Sequence, residues 1–556
     1  MSEALAARAA APSAAPAVAT QRAATGRRER LERLRFYWVV ATSGAVIMAL
    51  EILASRVLAP AFGNSVYVWG SIISVFLAAL AVGYRLGGRF ADREPSLQAL
   101  GRLVLLAALS EALLLFAGER LVSTLGRWTG GSPGGTLVAA TLLFGPASLL
   151  LATVSPYAIR LAARDIAALG DTAGRLFALS TAGSLVGTLG CTFVLIPLLQ
   201  LQPLLALLVG ITTLTALVAM AGSTRREAWS YALAATLLVA TAVKGVRPPP
   251  LPPLTLYSGI TPYQTLAVGD VDDRRFLTSN STLQSAVIRD TGEPGLAYSR
   301  SVALTALFAP RMRRALMLGM GSGSVGVYLQ RRIDGLEVDY VDVDPEVPRL
   351  ARRFFGFTDG PRSRVHVDDA RRFLANSGER WDLIVADTYV GLSVPFHLTT
   401  TEFMGEVGRH LTADGVFALN LAAGLDDEFS RAIFSTVRRS FPAARAFYAR
   451  GASNVWVIAG PGARGYLPDL QARARELDRR WKFEPPLHAL LALEVPTAEL
   501  PMGEVLRDEF APVEHLIPVG KMRAVDAERW RELRGRMNAN RAPAPPPAPG
   551  AKGGAR

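Results

Sequence analysis

The chain has 556 residues and a formal net charge of +13; half of its residues are hydrophobic, 19% are charged, and the mean hydropathy is +0.26. A soluble globular protein carries about 25% charged residues, so this chain is neither disordered overall nor wholly soluble. The single cysteine, Cys191, excludes an intramolecular disulfide framework and a Cys-rich zinc module, and no two of the five histidines form an HExxH-like pair.

The first 35 residues hold seven Arg and three Glu among Ala and Pro, with no apolar core of the kind a signal peptide needs. They are expected to be a disordered, cytoplasmic basic tail. Residues 36–250 hold fourteen basic and eight acidic side chains, whereas 251–556 hold 39 and 36. The surplus thus flanks the apolar part, which points to membrane topology and away from a nucleic-acid groove.

Seven apolar stretches follow, at 36–58, 66–88, 99–117, 136–158, 176–198, 203–221 and 228–246. About 20 apolar residues cross a bilayer, so 36–246 reads as a transmembrane helical bundle in the cell (inner) membrane, with lipid as a partner. Gly183, Gly187 and Gly190 would let helices approach closely there. Glu51 and Glu111 lie inside the apolar spans, where a carboxyl group marks a functional position or a helix–helix hydrogen bond.

Fifteen Lys and Arg residues fall on one side of this arrangement and three on the other, which makes the N-terminus cytoplasmic. Seven crossings would leave the remainder of the chain outside the cytoplasm. A bundle of about seven spans is therefore expected to be miscounted by one, so that the catalytic domain stays cytoplasmic: either the seventh stretch, short and Ala-rich, does not span, or another apolar stretch is misjudged.

A Pro-rich linker at 247–254 separates the two halves, and 541–556 is expected to be a second disordered tail. Short alternating runs at 262–269, 275–278 and 282–287 read as three strands of a small antiparallel sheet, a β domain spanning 255–297. The last domain, 298–540, opens with a helix at 298–308. Strands at 314–319, 336–344, 365–369, 381–387 and 415–420 then alternate with helices, the pattern of a Rossmann-like, doubly wound parallel sheet.

Such sheets bind ligands at the carboxyl ends of their strands. Gly319, Gly321 and Gly323 form a tight loop there, and Asp342, Asp369 and Asp387 end the next three strands. The GxGxGxxG spacing and three acidic strand ends argue against a dinucleotide. They suit a nucleoside with no phosphate to repel and a cationic sulfonium centre, as in S-adenosylmethionine and its relatives.

Tyr263–Gln264, the Gln284 strand, the Gly319 loop, Asp342-Val-Asp344, Asp369 and Asp387 resemble the spermidine synthase family, the polyamine aminopropyltransferases. The stretches beginning at Glu51 and at Leu86 resemble the membrane segments of fused, transporter-like members of that family.

The resemblance implies that Gln264, Gly319, Gly321, Gly323, Asp342, Asp369 and Ala370 hold decarboxylated S-adenosylmethionine as the donor substrate. It implies Asp387 as the catalytic base, no prosthetic group, no metal, a small amine acceptor and self-association as a homodimer. Departures lie on the acceptor side. The family's Tyr-His-Glu run is Tyr298-Ser299-Arg300 here, Ser322 replaces an Asp, and the second Asp of the run after Asp387 is absent. Tyr298, Ser322, Tyr389, Pro395, His397 and Glu402 are therefore the candidate acceptor-binding residues. Three readings stay open: aminopropyl transfer, methyl transfer from intact S-adenosylmethionine, and a non-catalytic nucleoside sensor fused to a transporter-like bundle.

Overall fold

The structure is a computed structural model that describes residues 15–517 apart from 64, 131, 163–168, 222–227, 247–253, 392, 423–426, 450–451, 453, 465–466 and 497–501. The tail at 541–556 and nearly all of the Pro-rich linker lie outside the described residues. The chain divides into two compact units, one built mainly from the residues up to Pro248 and the other mainly from Pro249 onward.

The first unit holds seven long apolar helices: α1 (Ala15–Phe62), α2 (Val66–Arg93), α3 (Leu97–Trp128), α4 (Pro133–Ala162), α5 (Leu169–Leu198), α6 (Leu201–Met220) and α7 (Ala228–Val246). Helix α1 begins inside the stretch expected to be a disordered tail. Its Ala, Arg, Glu and Leu are strong helix formers, and the helix simply extends from the apolar segment toward the N-terminus.

Small residues set the α1–α5 crossing. A Cβ on Gly183 would lie 2.0 Å from the Ala41 carbonyl oxygen, and one on Gly187 would lie 2.1 Å from that of Ala45. Gly190 faces open space instead and begins a π-helical turn in α5. Arg35 caps α6, its Nε donating to the Val218 carbonyl at 2.8 Å and its Nη2 to that of Ala219 at 3.1 Å. Glu111 is buried and accepts a hydrogen bond from Thr212 Oγ1 at 2.9 Å, a contact between helices α3 and α6. Helix α7, formed by the short seventh stretch, lies antiparallel along α6. Gln202 bonds to the Lys244 carbonyl at one end and Tyr231 to the Met220 carbonyl at the other.

The second unit begins with four antiparallel strands in sequential order: β1 (Thr255–Ile260), β2 (Thr265–Val271), β3 (Arg274–Ser279) and β4 (Thr282–Ile288). Asn280 and Ser281, with φ of 48° and 66°, make the tight β3–β4 turn. Strand β1 has no counterpart in the sequence reading. It is an edge strand with only one of its six residues buried, so its apolar pattern is weak.

The larger sheet has the order β12-β10-β11-β9-β8-β5-β6-β7. Strands β5 (Arg314–Leu318), β6 (Glu337–Asp342), β7 (Ser363–Val367), β8 (Trp381–Ala386) and β9 (Leu411–Leu421) are parallel. Strands β10 (Ala444–Tyr448) and β11 (Val455–Ala459) add to β9 in antiparallel fashion, and the two-residue β12 (Glu494–Val495) closes the edge. Side chains alternate across the sheet. Ala315, Met317, Leu383 and Val385 enter one apolar core, and Leu316, Leu318, Ile384 and Ala386 enter the other. The helix expected at 298–308 is instead three short helical turns, ending at Arg300, Leu304 and Phe308.

One buried network ties the amino-terminal ends of four neighbouring strands. Asp339 of β6, with 3% side-chain exposure, accepts from Trp381 Nε1 of β8 at 2.8 Å and from Arg364 Nε of β7 at 2.8 Å. Arg314 Nη2 of β5 completes it at 3.3 Å. The Asp339→Ala variant is expected to lose about 3 kcal/mol of stability, because a buried indole N–H and two guanidinium groups lose their acceptor. Chemical denaturation followed by Trp fluorescence measures it.

Candidate active site

The parallel strands run out into one cleft, with about 1130 Å³ of empty volume, at their carboxyl ends. Strand β5 is the switch point: the chain moves from β5 to β6 and β7 on one side, then returns to β8 on the other. The helices that follow β5 and β8 therefore pack on opposite faces of the sheet, which leaves a crevice at the strand ends.

The glycine loop after β5 is held close to the β8 loop. Gly319 has φ of 87°, and a Cβ there would lie 2.2 Å from the Asp387 carbonyl oxygen. Gly319 N donates to the Val341 carbonyl and Asp387 N to that of Leu318, each at 2.9 Å. Gly321, with φ of 54°, lines the cleft. Gly323 lies outside the lining; it is the residue before helix α8 (Ser324–Gln330), and its missing side chain makes room for Phe357.

Asp342 ends β6 and lines the cleft. Its Oδ2 accepts from Met320 N and its Oδ1 from Asp344 N, both at 3.0 Å, so the carboxylate organises the glycine loop while facing the ligand space. Burial pushes its pKa up to about 6.

Asp369 caps helix α9 (Ala370–Asn376) by accepting from Arg371 N and Arg372 N, each at 3.0 Å. Its Oδ2 meets His397 Nε2 at 2.9 Å, and that hydrogen bond takes its pKa down to about 2. His397, expected to face the acceptor, is thus turned onto the β7 loop and is absent from the lining. Ala370 lines the cleft beside Asp369.

Gln264 also lines the cleft, with its amide engaged behind it. Nε2 donates to Asp344 Oδ2 at 3.1 Å, and Oε1 accepts from Ser279 Oγ at 2.6 Å.

Asp387 stands at the end of β8. Asn420 Nδ2 donates to its Oδ1 at 2.9 Å, and the Tyr298 hydroxyl lies 3.3 Å from its Oδ2. Burial pushes its pKa up. Asn420 was passed over in the sequence, although it ends the strand read at 415–420. The signal available was a polar residue where a buried strand reaches the cleft.

Tyr298, Tyr389 and Pro395 line the cleft as expected residues. The Tyr389 hydroxyl accepts from Ala422 N at 2.9 Å. Two other acceptor candidates lie elsewhere. Ser322 Oγ is drawn into a hydroxyl cluster with Ser285 Oγ at 2.6 Å and Ser324 Oγ at 2.9 Å. Glu402 is exposed and accepts from Asp508 N at 3.0 Å, which holds it away from the cleft. Arg300 also points elsewhere, its Nε donating to the Pro294 carbonyl at 2.9 Å. Among the described residues, the lining contains four carboxylates and no Lys, Arg or His. Among the described residues, no group of three or more His, Cys, Asp or Glu side chains is placed to hold a metal ion.

Residues 296–449 match the spermine/spermidine synthase domain family. The chain is 33% identical over 168 residues to a probable polyamine aminopropyl transferase of Bifidobacterium longum, covering 30% of this chain and 37% of that protein. It is 31% identical over 167 residues to a polyamine aminopropyltransferase of Vibrio vulnificus, covering 28% and 56%. A eEF1A lysine and N-terminal methyltransferase of Xenopus laevis is 31% identical over 137 residues, covering 23% and 20%. The chain thus spans between a third and somewhat over half the length of the two aminopropyltransferase relatives.

The pKa near 6 of Asp342 gives a sign for ligand binding. Affinity for methylthioadenosine, a neutral nucleoside, is expected to fall several-fold as pH drops from about 7.5 to about 5, when the Asp342 carboxylate in the cleft protonates. Asp369 stays ionised across that window. Calorimetric titration at a series of pH values reads the step, and Asp342→Asn removes it.

Proposed function

We propose that the α/β unit is an aminopropyltransferase of the spermidine synthase kind. It transfers the aminopropyl group of decarboxylated S-adenosylmethionine to a primary amine such as putrescine and releases methylthioadenosine. The observation that carries this reading is Asp387: a buried carboxylate at a strand end, oriented by Asn420 and Tyr298, in a cleft whose described lining holds no cationic side chain. The match of residues 296–449 to the spermine/spermidine synthase domain supports it.

The chemistry follows from these groups. An alkylamine resembles the Lys side chain, with a pKa near ~10.4, so it reaches the site as an ammonium and must lose a proton before it attacks. Asp387 orients the amine and accepts that proton, and its burial makes it a stronger base than an exposed carboxylate. Asp342 is assigned to the ribose hydroxyls and Asp369 to the adenine amino group, with Gln264, Gly319, Gly321 and Ala370 shaping the walls. Gly323 supports the loop from behind. The donor is a substrate, so no prosthetic group is required.

Methyl transfer from intact S-adenosylmethionine is the second reading, favoured by the similarity to the Xenopus methyltransferase. That donor brings a carboxylate, and the described lining offers it no cation, with Arg300 bonded to a main-chain carbonyl instead.

We further propose that the helical unit is embedded in the cell membrane, supported by seven helices long and apolar enough to cross a bilayer. Donor chemistry alone places the α/β unit on the cytoplasmic side; a count of seven crossings from a cytoplasmic N-terminus argues for the opposite side. Homodimerisation belongs to the same reading, and nucleic acid does not.

The test is the Asp387→Asn variant of the full-length protein, supplied with decarboxylated S-adenosylmethionine and an amine. Turnover is expected to fall by about 10²–10⁴-fold while donor affinity is kept. Mass analysis of the wild-type product should find the amine heavier by one aminopropyl group. Full turnover by the variant would remove Asp387 from the mechanism.

A further inference from the structure

We infer that Asn454 is a positioning residue for Asp387: acting through Asn420, it fixes the carboxylate so that Oδ2 is the atom that takes the proton of the amine. This rests on the aminopropyl-transfer reading above and concerns the same base.

The register of the sheet brings the three residues together. Ala386 of β8 pairs with Leu419 of β9, so Asp387 and Asn420 are the next neighbours where β8 ends. Asn420 in turn pairs with Trp456 of β11, and Asn454 precedes that strand, on the same face and diagonal to Asn420. Asn454 Nδ2 donates to Asn420 Oδ1 at 3.1 Å, and Asn420 Nδ2 donates to Asp387 Oδ1 at 2.9 Å. The main chain of Asn454 is fixed in its turn, its carbonyl accepting from Ala449 N at 2.8 Å.

This chain of amides has one direction. An ionised carboxylate only accepts, so Asn420 turns its amide nitrogen to Asp387 and its oxygen to Asn454, which answers with an N–H. Each amide polarises the next, so the donor that reaches Asp387 is stronger than a lone amide. Asn420 and Asn454 are both buried, with 2% and 3% exposure. Their neighbours on that face of the sheet, Ala418, Trp456 and Ile458, belong to an apolar core. Two buried amides cost more there than apolar side chains of their size, and what their placement achieves is to hold a buried carboxylate.

With Oδ1 held, Oδ2 is left for the reaction. The Tyr298 hydroxyl lies 3.3 Å from Oδ2, and its single hydrogen is shared with the Gln284 carbonyl at 3.1 Å, so this second contact is the weaker one. The proton lost by the ammonium goes to Oδ2. The lone pair left on nitrogen forms the C–N bond to the methylene beside the sulfonium, and the C–S bond breaks with its electron pair going to sulfur. The titratable groups around Asp387 are Tyr298 from the turn after the small sheet, Tyr389 two residues on, and Asp342, Asp368 and Asp369 from the ends of β6 and β7, all in the same lining. Burial raises the pKa of Asp387 and the Asn420 hydrogen bond opposes that rise, so cutting the amide chain makes Asp387 hold its proton to higher pH.

The experiment reads methylthioadenosine release by the full-length protein against pH, with saturating decarboxylated S-adenosylmethionine and with putrescine or butylamine as acceptor. The acidic limb of kcat, where Asp387 protonates, is expected to move up by about one pH unit in Asn454→Leu and by at least as much in Asn420→Leu, with donor affinity kept. In the Asn420→Leu background, Asn454→Leu should add nothing to the shift, because its path to Asp387 is already cut. Should Asn454→Leu not fold, Asn454→Asp keeps the shape and removes the donor. The charge it adds acts with or without Asn420, so only the part of its shift that disappears in the Asn420→Leu background counts. An unmoved limb in the Asn454 variant, or shifts that add in the double variant, overturns the inference and leaves aminopropyl transfer standing. Failure of the wild-type protein to release methylthioadenosine with either amine overturns both.

Discussion

The cleft depends on one close approach, the Gly319 main chain against that of Asp387. A Cβ at Gly319 would sit 2.2 Å from the Asp387 carbonyl oxygen. Because that atom is missing, the glycine loop after β5 and the acidic loop after β8 sit side by side, and a left-handed φ turns the chain back over the sheet. The arrangement brings the glycine loop that lines the cleft within reach of a carboxylate at the end of the neighbouring strand. Chemistry at the strand ends follows from that contact and from the reversal of strand order at β5.

Each acidic strand end then takes a different character from its surroundings. Asp342 is buried and bonded to main-chain amides, and its pKa rises to about 6. Asp369 faces His397 and a helix terminus, and its pKa falls to about 2. Asp387 is buried beside an amide and a phenol, with no cation bonded to it among the described residues. Similar carboxylates thus take a loop-organising position, a cap held by an imidazole, and a buried position with a raised pKa, differences set by environment. Far from the cleft, the Asp339 network holds the opposite ends of four of the same strands in register.

Much of this was legible in the residues. Seven apolar stretches read as helices because about 20 consecutive apolar residues leave few alternatives. The parallel strands read as buried runs, and their acidic ends fell where a doubly wound sheet puts its ligands. What escaped was decided by contacts between distant residues. Whether His397 faces an acceptor or Asp369 depends on a loop path that spacing does not encode. Glu402 lies on a helix surface that turns it toward Asp508. Strand β1 has too weak an alternation to announce itself, and the partnership of Asn420 with Asp387 joins two strands across 33 positions. The N-terminal extent of α1 was missed for a different reason: Ala and Arg read as a low-complexity tail, although both favour the helix.

The proposed aminopropyl transfer requires a cleft that prefers a cationic donor that has lost its carboxylate. Calorimetric titration of the full-length protein with decarboxylated S-adenosylmethionine and with S-adenosylmethionine tests it most directly. With carboxylates and no basic side chain in the described lining, the decarboxylated donor is expected to bind tighter by about tenfold or more. Equal or tighter binding of intact S-adenosylmethionine would contradict the account and move the protein to methyl transfer.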